Sequence, residues 1–583
     1  MHVRIFFLLL FSLTSFTALS SSLSVNISDG LPKEVLQNIN AYLGGLPKSD
    51  NERSAFIYSA KKKTQNALKA LGYYQSVVTT SVSKDLEKNV WTLSITIQLN
   101  QPTLVNHVKL EITGEAKNDP AFISFKDDIP ISNGDKLHHG IYEKLKSNLT
   151  SLGLERGYFN SKFTLSTIAI NKNLQTADID IHFESGARYK FGQVDFSDIN
   201  LNYDVLQPLI PFQTGDYYQS ALIQNFQNAL DETHYFGNVV VHPKSDSNIN
   251  DLLPVEVSLN KAKSHEIDLG IGYATDTKAR FSLGWKTPLI NRFGHRQESR
   301  FSYSTVNPTG RFIYSIPLTH ANNDVLRLQA LLEENDYADI TSRYMSFQVG
   351  RVYLEKAILR QPYMRYLIER WSFDGVEYNA NYLIPGLTWS DTKREGNLLD
   401  PSNGFREYYS VEASHKDLSS AASFIRLNAR WNYISLIAPN HRLVTRAELG
   451  YILADKNIGA ELSPSLRFYA GGDQSIRGFA YQSVGPTVTY SHEGRTSEEF
   501  VTGGTNLVVA SIEYQYYFSN EWRGALFFDT GSVNNTNKLN LVYSVGPAMH
   551  YMSAIGPIRF ALGYPLSEED PSWRVHFSLG AEL

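Results

Sequence analysis

From about residue 265 to the end, apolar and polar residues alternate in one segment after another. Ile267, Leu269, Ile271 and Tyr273 alternate with Asp268, Gly270, Gly272 and Ala274. Leu326, Leu328 and Ala330 alternate with Arg327 and Gln329. Val508, Ala510, Ile512, Tyr514 and Tyr516 alternate with Val509, Ser511, Glu513 and Gln515, and the same phase runs through Ile558–Tyr564 and Trp573–Leu579. Period two marks strands with one apolar face. Sixteen strands are expected, starting near 265, 278, 295, 310, 324, 340, 356, 376, 404, 421 and 440, then near 505, 521, 540, 555 and 572. The interruption, residues 456–504, is long for a loop inside a compact domain, and such loops are usually functional.

The first half reads differently, with a period of about 80 residues over 23–262. Its marker is an aromatic–glycine cluster: Leu71-Gly72-Tyr73-Tyr74, then Arg156-Gly157-Tyr158-Phe159, then Tyr235-Phe236-Gly237. A helical stripe precedes each marker: Ile57, Ala60, Ala67 and Leu71; Ile141, Leu145, Leu149 and Leu152; Leu222, Phe226 and Leu230. A strand pair follows each, its last member alternating strictly, as in Leu93, Ile95, Ile97; Ile179, Ile181, Phe183; and Val255, Val257, Leu259. A further strand and helix come first, Leu23–Ser28 and Lys33–Leu43 in the first copy, with Pro32 placed to open the helix. The repeats are therefore strand–helix–helix–strand–strand, with boundaries at 23–101, 102–185 and 186–263. An open edge of such a sheet accepts an extended peptide, and a rigid spacer fits the same pattern.

Composition changes the picture at one point. The 583 residues are 42% apolar and 19% charged, with net charge −5 and no cysteine. That excludes global disorder, a disulfide scaffold, a Cys-based zinc site and a thiol nucleophile, and gives no nucleic-acid footprint. Beyond the first 20 residues no apolar run suffices for a membrane helix. Yet many C-terminal segments reach the length of a tilted spanning strand, six of the seven Trp lie beyond residue 264, and no helical pattern is available to cover a sheet. The fold expected is three small α+β units followed by a 16-stranded antiparallel transmembrane β-barrel over 264–583, apolar face to lipid and polar face to the lumen. Residues 1–22 have the n-region, apolar core and small-residue site of a signal peptide.

Within the long loop stands Gly471-Gly472-Asp473-Gln474-Ser475-Ile476-Arg477-Gly478-Phe479. Glu513 falls on the polar face of the next strand, and Asp529, in Phe527-Phe528-Asp529-Thr530-Gly531, stands in the one after. A loop folded into the lumen brings Arg477 to both carboxylates and is pinned there by charge-assisted hydrogen bonds; on the alternative reading, both carboxylates meet lumenal water.

The Gly-Gly-Asp-x-x-Ile-Arg-Gly-Phe pattern, the Phe-x-Asp-x-Gly strand and the Gly556-Pro557-Ile558-Arg559-Phe560 strand resemble the outer-membrane assembly superfamily that includes BamA. Three N-terminal units before a sixteen-strand barrel, and the ending Gly580-Ala581-Glu582-Leu583, resemble its TamA branch, whose periplasmic units are POTRA domains. The resemblance implies an outer-membrane location with periplasmic N-terminal units, and insertion or assembly of outer-membrane and autotransporter clients. It also implies a TamB-like inner-membrane-anchored partner, and contact of Arg477, within Arg477-Gly478-Phe479, with the anchoring carboxylates Asp529 and Glu513. The sequence departs from the pattern at one point: many barrel chains end on an aromatic residue and this one ends on Leu583, with Phe577 expected to serve instead in the terminal targeting strand.

The mechanism expected is strand templating at a weak seam between the first and last barrel strands. Gly270 and Gly272 weaken the first and Gly580 bends the last; room for a neighbouring side chain is the competing reading of these glycines. A two-partner-type polypeptide secretion pore is the alternative function, but such transporters carry two POTRA units and a plug helix, against three units and no plug candidate here. A passive porin explains the barrel but neither the repeats nor the loop. No Gly-x-Ser-x-Gly, His-Glu-x-x-His or phosphate-loop motif is present, so no enzyme and no cofactor are expected. His138 and His139 are read as a solvated pair and Lys61-Lys62-Lys63 as a solvated helix face; neither is read as a metal site.

Overall fold

The structure, a computed structural model, describes residues 22–87, 90–196, 200–244, 251–337, 340–373, 375–397, 400–454, 462–490, 498–536, 538–553 and 556–579. Residues 1–21 of the expected signal peptide, Gly580 and the chain's last three residues lie outside the described residues, while Ser22, expected to end that peptide, opens the first strand.

The first repeat comprises β1 (Ser22–Ile27), α1 (Lys33–Leu43), α2 (Asp50–Ala70), β2 (Val77–Asp85) and β3 (Val90–Gln98), in sheet order β1-β3-β2. Pro32, at φ −54°, precedes α1, where its missing N–H costs nothing. The Ser49 hydroxyl accepts the Glu52 N–H and caps α2. Ala60, Ala67 and Leu68 of α2 close over Leu93 and Ile95. The second repeat has β4 (Leu104–Thr113), α3 (Pro120–Asp127), α4 (His139–Glu155), β5 (Lys162–Asn171) and β6 (Thr176–Glu184), in order β4-β6-β5. Here the helical stripe is Tyr142, Leu145 and Leu149; Ile141, expected on it, is exposed. Tyr142 and Ile141 lie three and four residues before Leu145, and the aromatic ring takes the buried place. The third repeat has β7 (Lys190–Phe196), α5 (Tyr203–Leu206), α6 (Ser220–Glu232), β8 (Phe236–Pro243) and β9 (Leu252–Lys261), in order β7-β9-β8.

The markers serve as joints. The Gly72 carbonyl accepts the Thr103 N–H at 2.9 Å, Gly157 that of Tyr189 at 3.0 Å, and Tyr235 that of Ala262 at 3.2 Å, each donor standing just before the next sheet. Gly72 and Gly157 have φ of +85° and +88°, and a Cβ on them would come within 2.5 Å of the Leu137 carbonyl and 2.8 Å of Tyr218 Cβ. Only glycine meets both demands cheaply. At the third joint the Tyr235 hydroxyl donates to the Gly294 carbonyl at 2.7 Å. The two histidines are not a solvated pair. His138 caps α4 by accepting the Ile141 N–H and lies 3.4 Å from Glu34, while half-buried His139 meets the Tyr74 hydroxyl at 2.6 Å. Burial lowers the His139 pKa. Of the lysine run, Lys61 and Lys62 are exposed, while Lys63 donates to the Leu43 carbonyl.

The remaining chain forms β10 (Glu266–Ala274), β11 (Lys278–Thr287), β12 (Arg296–Ser304), β13 (Thr309–His320), β14 (Asp324–Tyr337), β15 (Ile340–Glu355), β16 (Ile358–Phe373), β17 (Val376–Gly396), β18 (Pro401–Ser414), β19 (Phe424–Ala438) and β20 (His441–Ala454). A small hairpin, β21 (Thr487–Tyr490) with β22 (Glu498–Val501), lies within the long loop. Then come β23 (Asn506–Tyr517), β24 (Trp522–Asn534), β25 (Val542–Ser553), β26 (Gly556–Pro565) and β27 (Arg574–Leu579). Among the described residues sixteen of these strands, all but the loop hairpin, join in one nearly closed antiparallel sheet, each beside its sequence neighbour. Leu269 and Ile271 are 71% and 87% exposed on its outer face, while the other phase carries buried polar side chains such as Glu513 and Asp529. An apolar exterior with a polar interior is the pattern lipid imposes.

Candidate functional site

The loop after β20 turns back into the barrel and makes a core with its wall. Leu466, Phe468, Ile476 and Phe479 of the loop are buried with Tyr382, Leu507, Val509 and Val533. The lumenal phase of β23 explains the arrangement: Leu507 and Val509 serve the apolar part of the loop, and Ser511, Glu513 and Gln515 its polar part. Each buried side chain of this size contributes about 1.5–3 kcal/mol.

At the centre lies Arg477, 5% exposed. Its Nε and Nη2 donate to the two oxygens of Asp529, each at 2.8 Å, a bidentate pair. Its backbone N–H donates to Asp529 Oδ2 at 3.0 Å, and its Nη1 donates to Glu513. The guanidinium lies 3.5 Å over the Phe527 ring. Ser511 steadies Asp529 at 2.6 Å, and Gln515 donates to Glu513 at 2.6 Å. A charge buried this deeply persists only when paired and hydrogen-bonded.

Gly478, at φ +99°, lets the chain turn beside Arg477. A Cβ on Gly563 of β26 would lie 2.3 Å from the Gly478 nitrogen, so the wall is hollowed to receive the loop backbone. The Gly478 N–H donates to His576 Nε2 on β27 at 3.1 Å, and the Asp473 N–H to Asp276 Oδ2, in the turn after β10, at 2.7 Å. One loop segment thus touches both ends of the sheet. A further contact to the wall is the Ser465 N–H on Glu369 of β16, and within the loop the Arg467 Nη1 donates to the Thr502 carbonyl at 2.7 Å.

The seam between β10 and β27 is short of backbone bonds. Nine register pairs join β10 to β11 and six join β26 to β27. Across the seam, among the described residues, the Thr275 N–H donates to the Phe577 carbonyl at 3.3 Å and the Phe577 N–H to the Thr275 hydroxyl at 3.2 Å. Gly270 and Gly272 face the lumen on β10. A Cβ on Gly272 would meet nothing within 4 Å; one on Gly270 would lie 2.4 Å from the Ser282 hydroxyl, so for Gly270 the neighbour's need for room is real.

The structure brings Arg477, Gly478, Phe479, Asp529 and Glu513 together and places Gly270 and Gly272 at the seam; Gly580 lies outside the described residues. Sequence reasoning missed Asp276, Glu369, Ser511 and His576 as loop partners. Each is polar; for Ser511 and His576 the alternation already gave the lumenal phase, but it gives no partner.

A strand barrel with a long loop pinned in its lumen and α+β repeats ahead of it defines the class. Residues 250–583 match the Omp85 superfamily domain, and the chain belongs to that superfamily. Residues 24–99 match POTRA domain TamA domain 1. The barrel lies in the outer membrane, with the N-terminal units in the periplasm. Among curated relatives, the outer membrane protein assembly factor BamA of Nitratidesulfovibrio vulgaris is 32% identical over 63% of this chain and 48% of its own length. That of Neisseria meningitidis is 22% identical over 73% and 60%. The chain thus spans about half the length of the curated relatives it matches. The crystal structure of Haemophilus ducreyi BamA lacking POTRA domains 1–3 has a similar fold, with TM-score 0.70 at 15% identity, covering 82% of this chain and 99% of that one.

Proposed function

We propose that the chain is an outer-membrane protein insertion and assembly factor. On this reading it folds and inserts autotransporters and other barrel proteins by offering the β10 edge to a client strand. The observation that carries the proposal is the seam: among the described residues two hydrogen bonds, both at Thr275 just after β10, reach β27, whereas nine register pairs join β10 to β11. Backbone groups facing hydrocarbon cost several kcal/mol each when unpaired, so an under-paired edge in lipid is a strand acceptor. Gly270 and Gly272 lower the packing that holds the seam shut. The loop, pinned by Arg477 on Asp529 and Glu513, holds the two sides of the seam together by its contacts with His576 of β27 and with Asp276 just after β10. The periplasmic repeats meet an inner-membrane-anchored, TamB-like partner, a reading supported by the match of the first repeat to POTRA domain TamA domain 1; the relatives' name, outer membrane protein assembly factor, supports the assembly role. Depletion of the protein followed by comparison of the outer-membrane proteome tests it. Selective loss of autotransporters and other barrels is expected, and an unchanged set of barrels overturns it.

A further inference from the structure

The lumenal wall of β11–β14 carries Arg280, Arg296, Arg300, Arg311 and Arg327. Their phase is fixed by outward-facing Phe281, Phe301, Phe312 and Leu328 on the same four strands. The carboxylates of that wall are Glu298 and Glu333. Among the described residues none of the five arginines has a carboxylate within ion-pair distance, whereas Lys286 of the same wall pairs with Asp268 at 3.0 Å. Glu333 lies near Tyr344 and Arg311, and the charged groups near Arg327 are Arg296, Glu298 and Arg311.

The register makes the excess sharper. Arg300 and Arg311 stand directly opposite each other on β12 and β13, and Arg296 and Arg327 flank Ser315 from either side. Like charges directly opposite destabilise a sheet. The Arg327 Nε is buried with no hydrogen-bond partner among the described residues. Two guanidinium clusters thus lie four residues apart along β12, about 13 Å. Planar guanidinium forks match phosphate oxygens two at a time.

We infer that this wall is a binding site for phosphate-type anions, seated chiefly between Arg300 and Arg311. The inference is independent of the assembly reading, since it needs no client. The test uses the full chain in uncharged detergent with pyrophosphate as the probe, by calorimetry. Saturable binding that weakens with added salt is expected. Arg300→Gln with Arg311→Gln lowers affinity at least tenfold, while Arg430→Gln, whose native arginine is paired with Glu448, leaves it unchanged. Arg311→Glu places a carboxylate opposite Arg300; it abolishes binding yet leaves thermal stability equal or higher, which a misfolded variant does not. The source is read in nanodiscs. If phosphatidic acid in a phosphatidylcholine bilayer competes with pyrophosphate, the ligand is a lipid headgroup; if it does not, the ligand is a soluble phosphate, and either result keeps the site. Absence of saturable binding, or full affinity in Arg311→Glu, overturns it.

Discussion

Replacing Arg477 with alanine removes a buried cation from two buried carboxylates. The bidentate pair to Asp529 and the bond to Glu513 are lost. Asp529 keeps the Ser511 hydroxyl and Glu513 keeps Gln515, so neither anion is left bare. Breaking one partner of a buried pair costs about 3–5 kcal/mol; with those residual bonds the lower end applies. About 3 kcal/mol corresponds to roughly a hundredfold change in the ratio of released to seated loop, at 1.4 kcal/mol per decade. The chain has no cysteine, so Ile476→Cys gives a single thiol at a fully buried position of the seated loop. Its maleimide labelling rate reports the released fraction when opening is fast relative to reaction. Labelling is expected to rise about a hundredfold in Arg477→Ala and by less in Arg477→Lys, which keeps charge but not the fork. An unchanged labelling rate in Arg477→Ala refutes the view that this pair holds the loop.

Three further outcomes follow from the same geometry. Gly563→Val puts side-chain carbon where the Gly478 backbone runs, so it raises Ile476→Cys labelling without any change of charge. Gly157→Ala forces a side chain into the left-handed region against Tyr218; at least about 1–2 kcal/mol is expected from the backbone alone, read as a lowered melting temperature of the periplasmic repeats. Asp119 caps α3 by accepting the Ala121 N–H. Burial pushes its pKa up, but Arg156, the Ala121 N–H and Tyr158 outweigh burial and hold it below the usual carboxylate range. Its stabilising contribution is therefore complete above the unfolded value near 3.9 and lost as pH falls through the depressed folded value; Asp119→Asn flattens that part of the acid-melting profile.

The barrel was the most legible part of the chain because lipid acts on every strand alike. Starts expected near 265, 278, 324, 340 and 376 are found at Glu266, Lys278, Asp324, Ile340 and Val376. The starts expected at 404 and 421 lie three residues from Pro401 and Phe424, where apolar and polar residues mix near turns. Arg477, Glu513 and Asp529 stood out because the loop was anomalous in length, Glu513 fell on the polar face of its strand, and the Ile-Arg-Gly-Phe and Phe-x-Asp-x-Gly patterns singled out Arg477 and Asp529. Glu369, Asp276 and His576 did not, since a lone polar residue in a polar phase shows no partner 100 or 200 residues away. The aromatic–glycine markers were visible as repeats, but their work as joints rests on backbone contacts just before the next sheet, and the half-burial of His139 goes with its hydrogen bond to Tyr74 of the first marker.

On the function proposed above, the seam between β10 and β27 opens to a client strand. Thr275→Cys with Phe577→Cys places two thiols at the one described point where the strands are bonded, in a chain otherwise free of cysteine. Client insertion into the outer membrane, measured before and after reduction, decides the matter. If the seam must open, insertion stops in the oxidised protein and returns on reduction; insertion at the native rate with the disulfide fully formed shows that it need not open.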